Sequence, residues 1–169
     1  MAELFGVTGW KNSGKTTLVT SLVTHFVAKG LRVSTIKHAH ESFDVDHEGT
    51  DSFAHRAAGA HEVAIASPKR WALVHEATSV GAAPTLETMI ARLSPCDLVL
   101  VEGYKSSSIP KIECIREAGI KGAPIWKANT SVVAIATDMP VPGCSLPSFD
   151  IDAIEDMADY ITQLLGLRI

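Results

Sequence analysis

Residues 9–16 constrain the fold of this chain more than any other segment. Their sequence, GWKNSGKT, matches the phosphate-binding pattern G-x-x-x-x-G-K-[ST] at every fixed position. An apolar stretch at 4–8 precedes the loop, and apolar side chains recur at helical spacing over 15–29. A strand, a glycine-containing loop and a helix in this order turn backbone N–H groups and a helix N-terminus toward a phosphate. The sequence therefore predicts a nucleotide-binding P-loop.

The P-loop pattern assigns a role to each of its fixed residues. Lys15 is predicted to neutralise the β- and γ-phosphates and to act in catalysis, while the Thr16 hydroxyl ligates Mg²⁺. Thr17 is expected beside the α-phosphate. Contacts with the nucleotide are also predicted for the other loop residues Gly9, Asn12, Ser13 and Gly14.

Short apolar runs alternate with helical stretches along the chain. Strands are predicted at 4–8, 32–36, 63–66, 71–74, 97–101, 111–115 and 132–136, and helices at 15–29, 51–58, 85–93 and 150–165. This alternation is typical of an α/β fold, here a three-layer P-loop NTPase with a mostly parallel central sheet. The strands at 71–74 and 111–115 are candidates for antiparallel additions. No repeat or linker divides the chain, so a single P-loop nucleotide-binding domain over 1–169 is predicted.

The charge balance and the cysteines exclude several classes of protein. Fifteen basic and nineteen acidic residues give a net charge of −4, which argues against a general nucleic-acid or anionic-membrane binder. No apolar run approaches the ~20 residues that span a bilayer. The three cysteines are widely spaced and fit neither a disulfide framework nor a thiolate metal site. We expect a cytoplasmic protein with neither nucleic acid nor membrane as a partner.

A P-loop needs a carboxylate on a neighbouring strand to complete its Mg²⁺ site. The apolar run at 97–101 delivers Glu102 at the carboxyl end of a predicted strand, where open α/β sheets bind ligands. Asp97, at the other end of that strand, would lie about 15 Å away at ~3.3 Å per residue. Glu102 is therefore predicted as a catalytic and metal-binding residue.

Residues 37–51 form a loop dense in charged and imidazole side chains. If the loop responds to the nucleotide, Asp44 or Asp46 can position Mg²⁺ or the attacking water, and we select Asp46 as catalytic. The γ-phosphate or a second substrate could contact one of three basic side chains, Lys37, His38 and Arg56. Of these, Lys37 and His38 are selected as nucleotide contacts.

Two other interpretations of this loop stay open. It can be an ordinary polar surface loop, or it can bind a transition metal through three histidines, His38, His40 and His47. His61 and His75, near predicted strands, are interpreted as structural residues.

The motifs together resemble those of one known family. They are VTGWKNSGKTTL at 7–18, IKHAH at 36–40, FDVD at 43–46 and DLVLVEGYK at 97–105. In this order and spacing the chain resembles the MobB family, the molybdopterin-guanine dinucleotide biosynthesis protein B family. The resemblance implies a GTP-binding adapter with weak GTPase activity and a homodimer. Its partners would be GTP or GDP, the guanylyltransferase MobA and the molybdopterin cofactor, toward which Tyr104 and Lys105 would face.

Guanine recognition is assigned to Asp138, because the common Asn-Lys-x-Asp pattern is absent. Asp138 follows the late apolar strand, and its carboxylate could accept hydrogen bonds from the N–H and amino groups of guanine. It can equally be an ordinary turn residue. Two other functions compete with the GTP-binding adapter: a P-loop small-molecule kinase, and a nucleotide-dependent metal chaperone that uses the three histidines of the 37–51 loop.

Overall fold

The computed structural model describes residues 2–39, 43–76, 83–119 and 122–169. The chain forms two compact units. The sheet unit comprises residues 1–38 and 85–169, and the hairpin unit comprises residues 39–84. The prediction of one domain over 1–169 is not tested by this division and stays a prediction.

The elements follow the predicted alternation of strands and helices. In the described residues, strands β1 to β8 span Glu3–Gly9, Val33–Lys37, Glu62–Ala66, Trp71–His75, Leu98–Glu102, Lys111–Ile115, Val132–Thr137 and Ser148–Asp150. Helices α1 to α4 span Lys15–Ala28, Asp51–Ala57, Leu86–Ile90 and Ile154–Leu165, and single 3₁₀ turns lie at Glu117–Gly119 and Ile125–Lys127. All predicted strands and helices are present, with boundaries that differ by a few residues.

The sheet unit is a three-layer structure around a six-stranded sheet in the order β2-β5-β1-β6-β7-β8, with every neighbouring pair parallel. Alternate residues of β5 point to opposite faces: Leu98 and Leu100 join α1 and α4 in one buried cluster, while Val99 and Val101 join α3 in another. Both faces of the sheet are therefore covered by helices, as the apolar strand β5 predicts. The predicted fold class is confirmed.

The strand register aligns the carboxyl ends of three strands. Glu102 at the end of β5 pairs with Val7 of β1 on one side and with Lys37 of β2 on the other. The chain leaves β1 into the loop 9–16 directly beyond this level. Side chains at the ends of β1, β2 and β5 therefore meet at one edge of the sheet.

The strand β6 was expected as a possible antiparallel addition, and this expectation is wrong. β6 runs parallel to both β1 and β7 and is buried from Lys111 to Cys114. The eight residues between Glu102 and Lys111 contain no helix, but extended chain covers about 3.3 Å per residue and so returns easily along a five-residue strand. The other candidate, β4, is antiparallel: it pairs with β3 in the hairpin unit.

The last helix begins later than predicted, because residues 148–150 form the edge strand β8 beside β7. Helix α4 then starts at Ile154 and buries Met157, Ala158 and Ile161. Helix α1 starts at Lys15, directly after Gly14 in the left-handed conformation, and buries four apolar side chains against the sheet. The start of α1 therefore lies at the edge where β1, β2 and β5 end.

Candidate functional site

The loop 9–16 connects β1 to α1 with a backbone that few residues tolerate. Gly9 has φ 144°, and a Cβ there would lie 2.6 Å from the Cys114 carbonyl oxygen. Asn12 and Gly14 also have positive φ, at 64° and 87°. Alternation of left- and right-handed residues turns successive N–H groups into a concavity that suits an anion. The loop thus has the backbone shape that the motif predicts.

Lys15 folds back over the loop from the first position of α1. Its Nζ donates to the Trp10 carbonyl oxygen at 2.6 Å. Burial lowers the pKa of the Lys15 ammonium below its ordinary value. The Lys15 ammonium is therefore held against the backbone of the loop.

Thr16, Glu102 and Lys37 meet at a single carboxylate oxygen. The Thr16 hydroxyl donates to Glu102 Oε1 at 3.0 Å, and Lys37 Nζ lies 3.5 Å from the same atom. Glu102 is buried, whereas the Lys37 side chain is largely exposed. Three residues that the sequence analysis selected separately are thus in direct contact.

The Thr16–Glu102 pair has the spacing of two neighbouring magnesium ligands. Mg²⁺ binds oxygen at about 2.0–2.1 Å in near-ideal octahedral geometry, so adjacent ligand oxygens lie about 2.8–3.0 Å apart. The distance between Thr16 Oγ1 and Glu102 Oε1 is 3.0 Å. A hydroxyl and a carboxylate oxygen at this distance suit Mg²⁺, which would replace the hydrogen bond between them.

The segment after β5 lies beside the loop 9–16. His38 donates its backbone N–H to the Glu102 carbonyl oxygen at 3.0 Å, and its ring lies 4.8 Å from that of Tyr104. Lys105 Nζ lies 3.8 Å from the centroid of a Trp10 ring, a cation–π contact. This contact joins the second residue of the loop to the Glu-Gly-Tyr-Lys segment, and the sequence analysis missed it.

One glycine-containing segment, residues 122–126, seats the Trp10 indole. Trp10 Nε1 donates to the Ala123 carbonyl oxygen at 3.0 Å, and a Cβ at Gly122 would lie 2.6 Å from the indole ring. The carboxylate of Glu113 accepts the N–H groups of Ile125 and Trp126 at 2.9 and 2.8 Å and so fixes the same segment. Burial raises the pKa of the Glu113 carboxyl.

Lys111 is a buried cation that the sequence analysis assigned only to a strand. Its Nζ donates to the carbonyl oxygens of Tyr104 and Lys105 at 3.3 Å each, and also to the carbonyl oxygen of Ser107. Burial lowers the pKa of this ammonium. Lys111 therefore anchors the segment that carries Tyr104 and Lys105 to strand β6. The sequence feature that could have identified Lys111 is the occurrence of a lysine within a short apolar strand.

Asp138 lies directly after β7 and is held by the segment that follows β6. Its Oδ2 accepts from Arg116 Nε at 3.1 Å, and its Oδ1 accepts from the Glu117 N–H at 3.1 Å. The Arg116 guanidinium lowers the pKa of the Asp138 carboxyl, which is therefore ionised at neutral pH. Arg116 also lines a cavity of about 80 Å³ together with Gly14 and Thr17 of the loop region. The guanine-reading role of Asp138 stays a prediction.

Asp46 belongs to the hairpin unit, where it is buried against Arg56. Arg56 Nη2 donates to Asp46 Oδ1 at 2.7 Å and to Asp44 Oδ1 at 3.3 Å, and Arg56 Nη1 lies 3.4 Å from Glu76 Oε1. Three carboxylates thus share one guanidinium. The catalytic role of Asp46 stays a prediction. The histidine loop cannot be followed in full, because His40 lies outside the described residues.

Comparison with known proteins identifies the family. The family model described as molybdopterin guanine dinucleotide synthesis protein B matches residues 4–138. This chain belongs to the MobB family. The matched range includes the loop 9–16, Glu102 and Lys111. The resemblance that the sequence motifs indicated is therefore confirmed.

Members of the MobB family are similar to the chain over nearly its full length. The molybdopterin-guanine dinucleotide biosynthesis adapter protein of Haemophilus influenzae is 38% identical over 162 residues, which are 96% of this chain and 89% of the relative. The protein of the same name from Escherichia coli is 35% identical over 165 residues, 96% of this chain and 93% of the relative.

A solved MobB structure has the same fold. The crystal structure of molybdopterin-guanine biosynthesis protein B superimposes with a TM-score of 0.72 at 27% identity, over 96% of this chain and 99% of that chain. In the described residues of the present chain, every helix is too short or too polar to cross a bilayer.

Proposed function

We propose that this MobB-family protein binds GTP with Mg²⁺ at the loop 9–16, hydrolyses GTP slowly, and serves as an adapter in molybdopterin-guanine dinucleotide biosynthesis. The observation that carries the nucleotide site is the contact of Thr16 with Glu102 beside the inward-turned Lys15. A P-loop that places a lysine, a hydroxyl and a carboxylate together has the groups that phosphoryl transfer requires.

The chain's own groups would hold the nucleotide in three ways. N–H groups of the loop, including those of Asn12 and Ser13, would donate to the β-phosphate, and Lys15 would neutralise the β- and γ-phosphates. Thr17, at the start of α1, would contact the α-phosphate. Lys37, 3.5 Å from Glu102, would compensate negative charge at the γ-phosphate.

Thr16 and Glu102 would hold Mg²⁺, which would supply positive charge against the negative charge that develops on the phosphates. Glu102 would also position the attacking water. Its burial makes the carboxylate a fixed charge rather than a mobile surface group.

Hydrolysis is expected to be slow, because the arginine beside the loop is already occupied. Arg116 is bonded to Asp138 at 3.1 Å. Arginine groups that reach the transferred phosphoryl account for about 10³–10⁵ of the rate in faster systems. We therefore expect turnover to need a partner or to remain slow.

The adapter role rests on the names of two relatives that are similar over nearly the whole chain. The Haemophilus influenzae and Escherichia coli proteins are both named molybdopterin-guanine dinucleotide biosynthesis adapter proteins. We propose that the present chain works as a cytoplasmic homodimer with the guanylyltransferase MobA. In this role Tyr104, Lys105 and His38 would face GTP or the anionic molybdopterin cofactor.

Calorimetric titration with GTP and Mg²⁺ tests the nucleotide site. Lys15→Ala should weaken GTP binding roughly 10- to 150-fold, since a hydrogen bond to a charged group contributes about 1.5–3 kcal/mol. Lys11→Ala is the matched control, because it removes an exposed lysine from the same loop and should leave the affinity within twofold.

Two outcomes of this titration would contradict the nucleotide site as proposed: equal affinity of the two variants, and tighter binding of ATP than of GTP. A third, measured separately as nucleotide turnover, is formation of the nucleoside diphosphate only when a hydroxyl acceptor is added, with the phosphoryl group transferred to that acceptor instead of released as phosphate. The last two would instead indicate a small-molecule kinase. For the adapter role, purified MobA and molybdopterin should yield more guanine dinucleotide with the wild-type chain than with Lys15→Ala.

A further inference from the structure

The open end of the β3–β4 hairpin carries two histidines and a glutamate that the proposed nucleotide site does not use. Glu62 on β3 pairs directly with His75 on β4. The N–H of Glu76 bonds to the His61 carbonyl oxygen at 3.0 Å, so the pair one position on, Glu62 and His75, is a non-hydrogen-bonded pair. Side chains of such pairs are the closest across an antiparallel sheet. The backbone register therefore forces these two side chains together.

His61 completes the group from the residue before β3. Its ring lies 4.6 Å from that of His75 at an interplanar angle of 75°. His75 Nδ1 lies 2.9 Å from Glu62 Oε1, and one ligand atom from each of the three residues lies within 4.8 Å of the others. Within the described residues this is the only cluster of three such side chains.

The spacing and exposure of the cluster suit a metal ion. In a tetrahedral zinc site with bonds of about 2.0–2.2 Å, neighbouring ligand atoms lie about 3.3–3.6 Å apart. All three side chains are exposed, so small rotamer changes can close the remaining gap without disturbing a core. Two imidazoles and one carboxylate are a ligand set that zinc and similar divalent metals prefer over magnesium.

Packing does not explain the two histidines, although they were expected to be structural. Both are exposed and contribute to no buried cluster of the described residues. The hydrogen bond to Glu62 accounts for the position of the His75 side chain. It does not account for the contact between the rings of His61 and His75. The two imidazoles supply nitrogen lone pairs and the carboxylate supplies a negative charge, the donors that a divalent cation of the zinc class takes.

We propose that His61, Glu62 and His75 form a binding site for a divalent transition-metal ion of the zinc class, with water in the remaining position. This site is separate in sequence from the histidine loop at 37–51. It requires neither GTP nor Mg²⁺, so its test does not depend on the nucleotide site.

Zinc titration of the full chain, followed by calorimetry in the presence of excess Mg²⁺, tests the proposal. The wild-type protein should bind one equivalent of Zn²⁺ per chain. His75→Ala and His61→Ala should each weaken binding at least about tenfold, because each removes a ligand and even the loss of an outer-shell partner costs roughly 10- to 100-fold. Glu62→Gln should weaken it less, because the amide oxygen can still coordinate the metal although it lacks the carboxylate charge. His47→Ala is the matched control: it removes an exposed histidine of the same unit and should leave zinc affinity unchanged.

Co²⁺ provides a second measurement that a folding defect cannot imitate. Intense visible absorption bands should appear on Co²⁺ addition to the wild type and to His47→Ala, and be absent in His75→Ala at unchanged far-ultraviolet circular dichroism. Zinc binding that survives His75→Ala but is lost in His47→Ala would overturn the proposal and assign the metal to the 37–51 loop. Failure of the wild type to bind Zn²⁺ would overturn it equally.

Discussion

In the sheet unit, β5 is buried along its whole length, whereas in the hairpin unit β3 buries Val63 alone and β4 buries none of its residues. The helices differ in the same way: α1 buries four apolar side chains and α2 buries none. Strands of equal length thus have different sources of stability in the two units. Apolar burial organises the sheet unit, while hydrogen bonds and charge pairs such as Asp46–Arg56 organise the described part of the hairpin unit.

The exposed apolar side chains sharpen this contrast. Of the eight large apolar side chains that are exposed among the described residues, five lie in the hairpin unit: Phe43, Val45, Ile65, Trp71 and Leu73. A two-stranded hairpin is at most marginally stable by itself in water. A buried core therefore fixes the geometry of the loop 9–16, whereas the described part of the hairpin unit leaves apolar surface exposed.

The largest difference between the units is expected from a matched pair of phenylalanine substitutions. Phe5 is 0% exposed in β1, and Phe43 of the hairpin unit is 73% exposed. Phe5→Ala should lower the free energy of unfolding by about 3–5 kcal/mol through the cavity that it leaves. Phe43→Ala should change it by less than about 0.5 kcal/mol. Urea unfolding followed by circular dichroism measures both, and equal losses would break the comparison.

A second prediction concerns the apolar face of the hairpin. Trp71, which is 71% exposed, and Leu73 point to the same face of β4. If the proposed homodimer forms through this face, Trp71→Ala should weaken self-association at least about tenfold, because exposed tryptophans are frequent interface hot spots. Sedimentation equilibrium measures the effect.

Phe43→Ala serves as the control for Trp71→Ala, since it removes an equally exposed aromatic ring outside the hairpin strands. Its dimer affinity should match that of the wild type. A wild-type protein that stays monomeric, or two variants that associate equally, would show that this face is not the dimer interface.

The smallest predicted effect concerns an ion pair in acid. Arg32 donates to Asp97 through its backbone N–H, Nε and Nη2 at 2.8, 3.1 and 2.7 Å, and this lowers the pKa of the Asp97 carboxyl to about 2. Since the folded-state pKa lies below that of an ordinary aspartate, about 3.9, the pair stabilises the fold above that pH. This contribution is lost as the pH falls from about 4 toward 2.

Asp97→Asn should therefore flatten the decline of stability with pH between about 4 and 2, a small change because the pair is exposed. Asp44→Asn in the hairpin unit is the control. Its carboxylate is 64% exposed and makes a single contact with Arg56 at 3.3 Å, so the variant should keep the wild-type profile. Thermal melts across this pH range measure the effect. Identical profiles of stability against pH for wild type and Asp97→Asn would contradict the prediction.

The sequence was sufficient wherever the signal is local. The loop 9–16 and the strand that ends at Glu102 follow from residue types at fixed spacing, and the register of β5 with β1 and β2 then brings Glu102 to Thr16 and Lys37. Parallel strands end at one edge of a sheet, so the meeting of these residues required no knowledge of the loops.

Contacts that depend on the path of a loop were not predictable. The Lys105–Trp10 contact requires the segment after β5 to turn back over the P-loop, and this path is fixed by the buried Lys111. Strand β8 is only three residues long, too short to show an alternating pattern, so it was not predicted and its last residue, Asp150, was included in the helix that follows. The exposure of His61 and His75 likewise depends on tertiary structure.

The hydrogen bonds of Lys15 and Thr16 have a consequence for the energetics of the loop. Lys15 Nζ is already bonded to the Trp10 carbonyl oxygen, and the Thr16 hydroxyl to Glu102. A phosphate that enters the loop would therefore exchange one set of partners for another, and the heat released on binding would be smaller than the new contacts alone suggest. On the proposed function, the same two bonds would re-form when the phosphate leaves, so the empty loop would keep its shape for the next nucleotide without refolding.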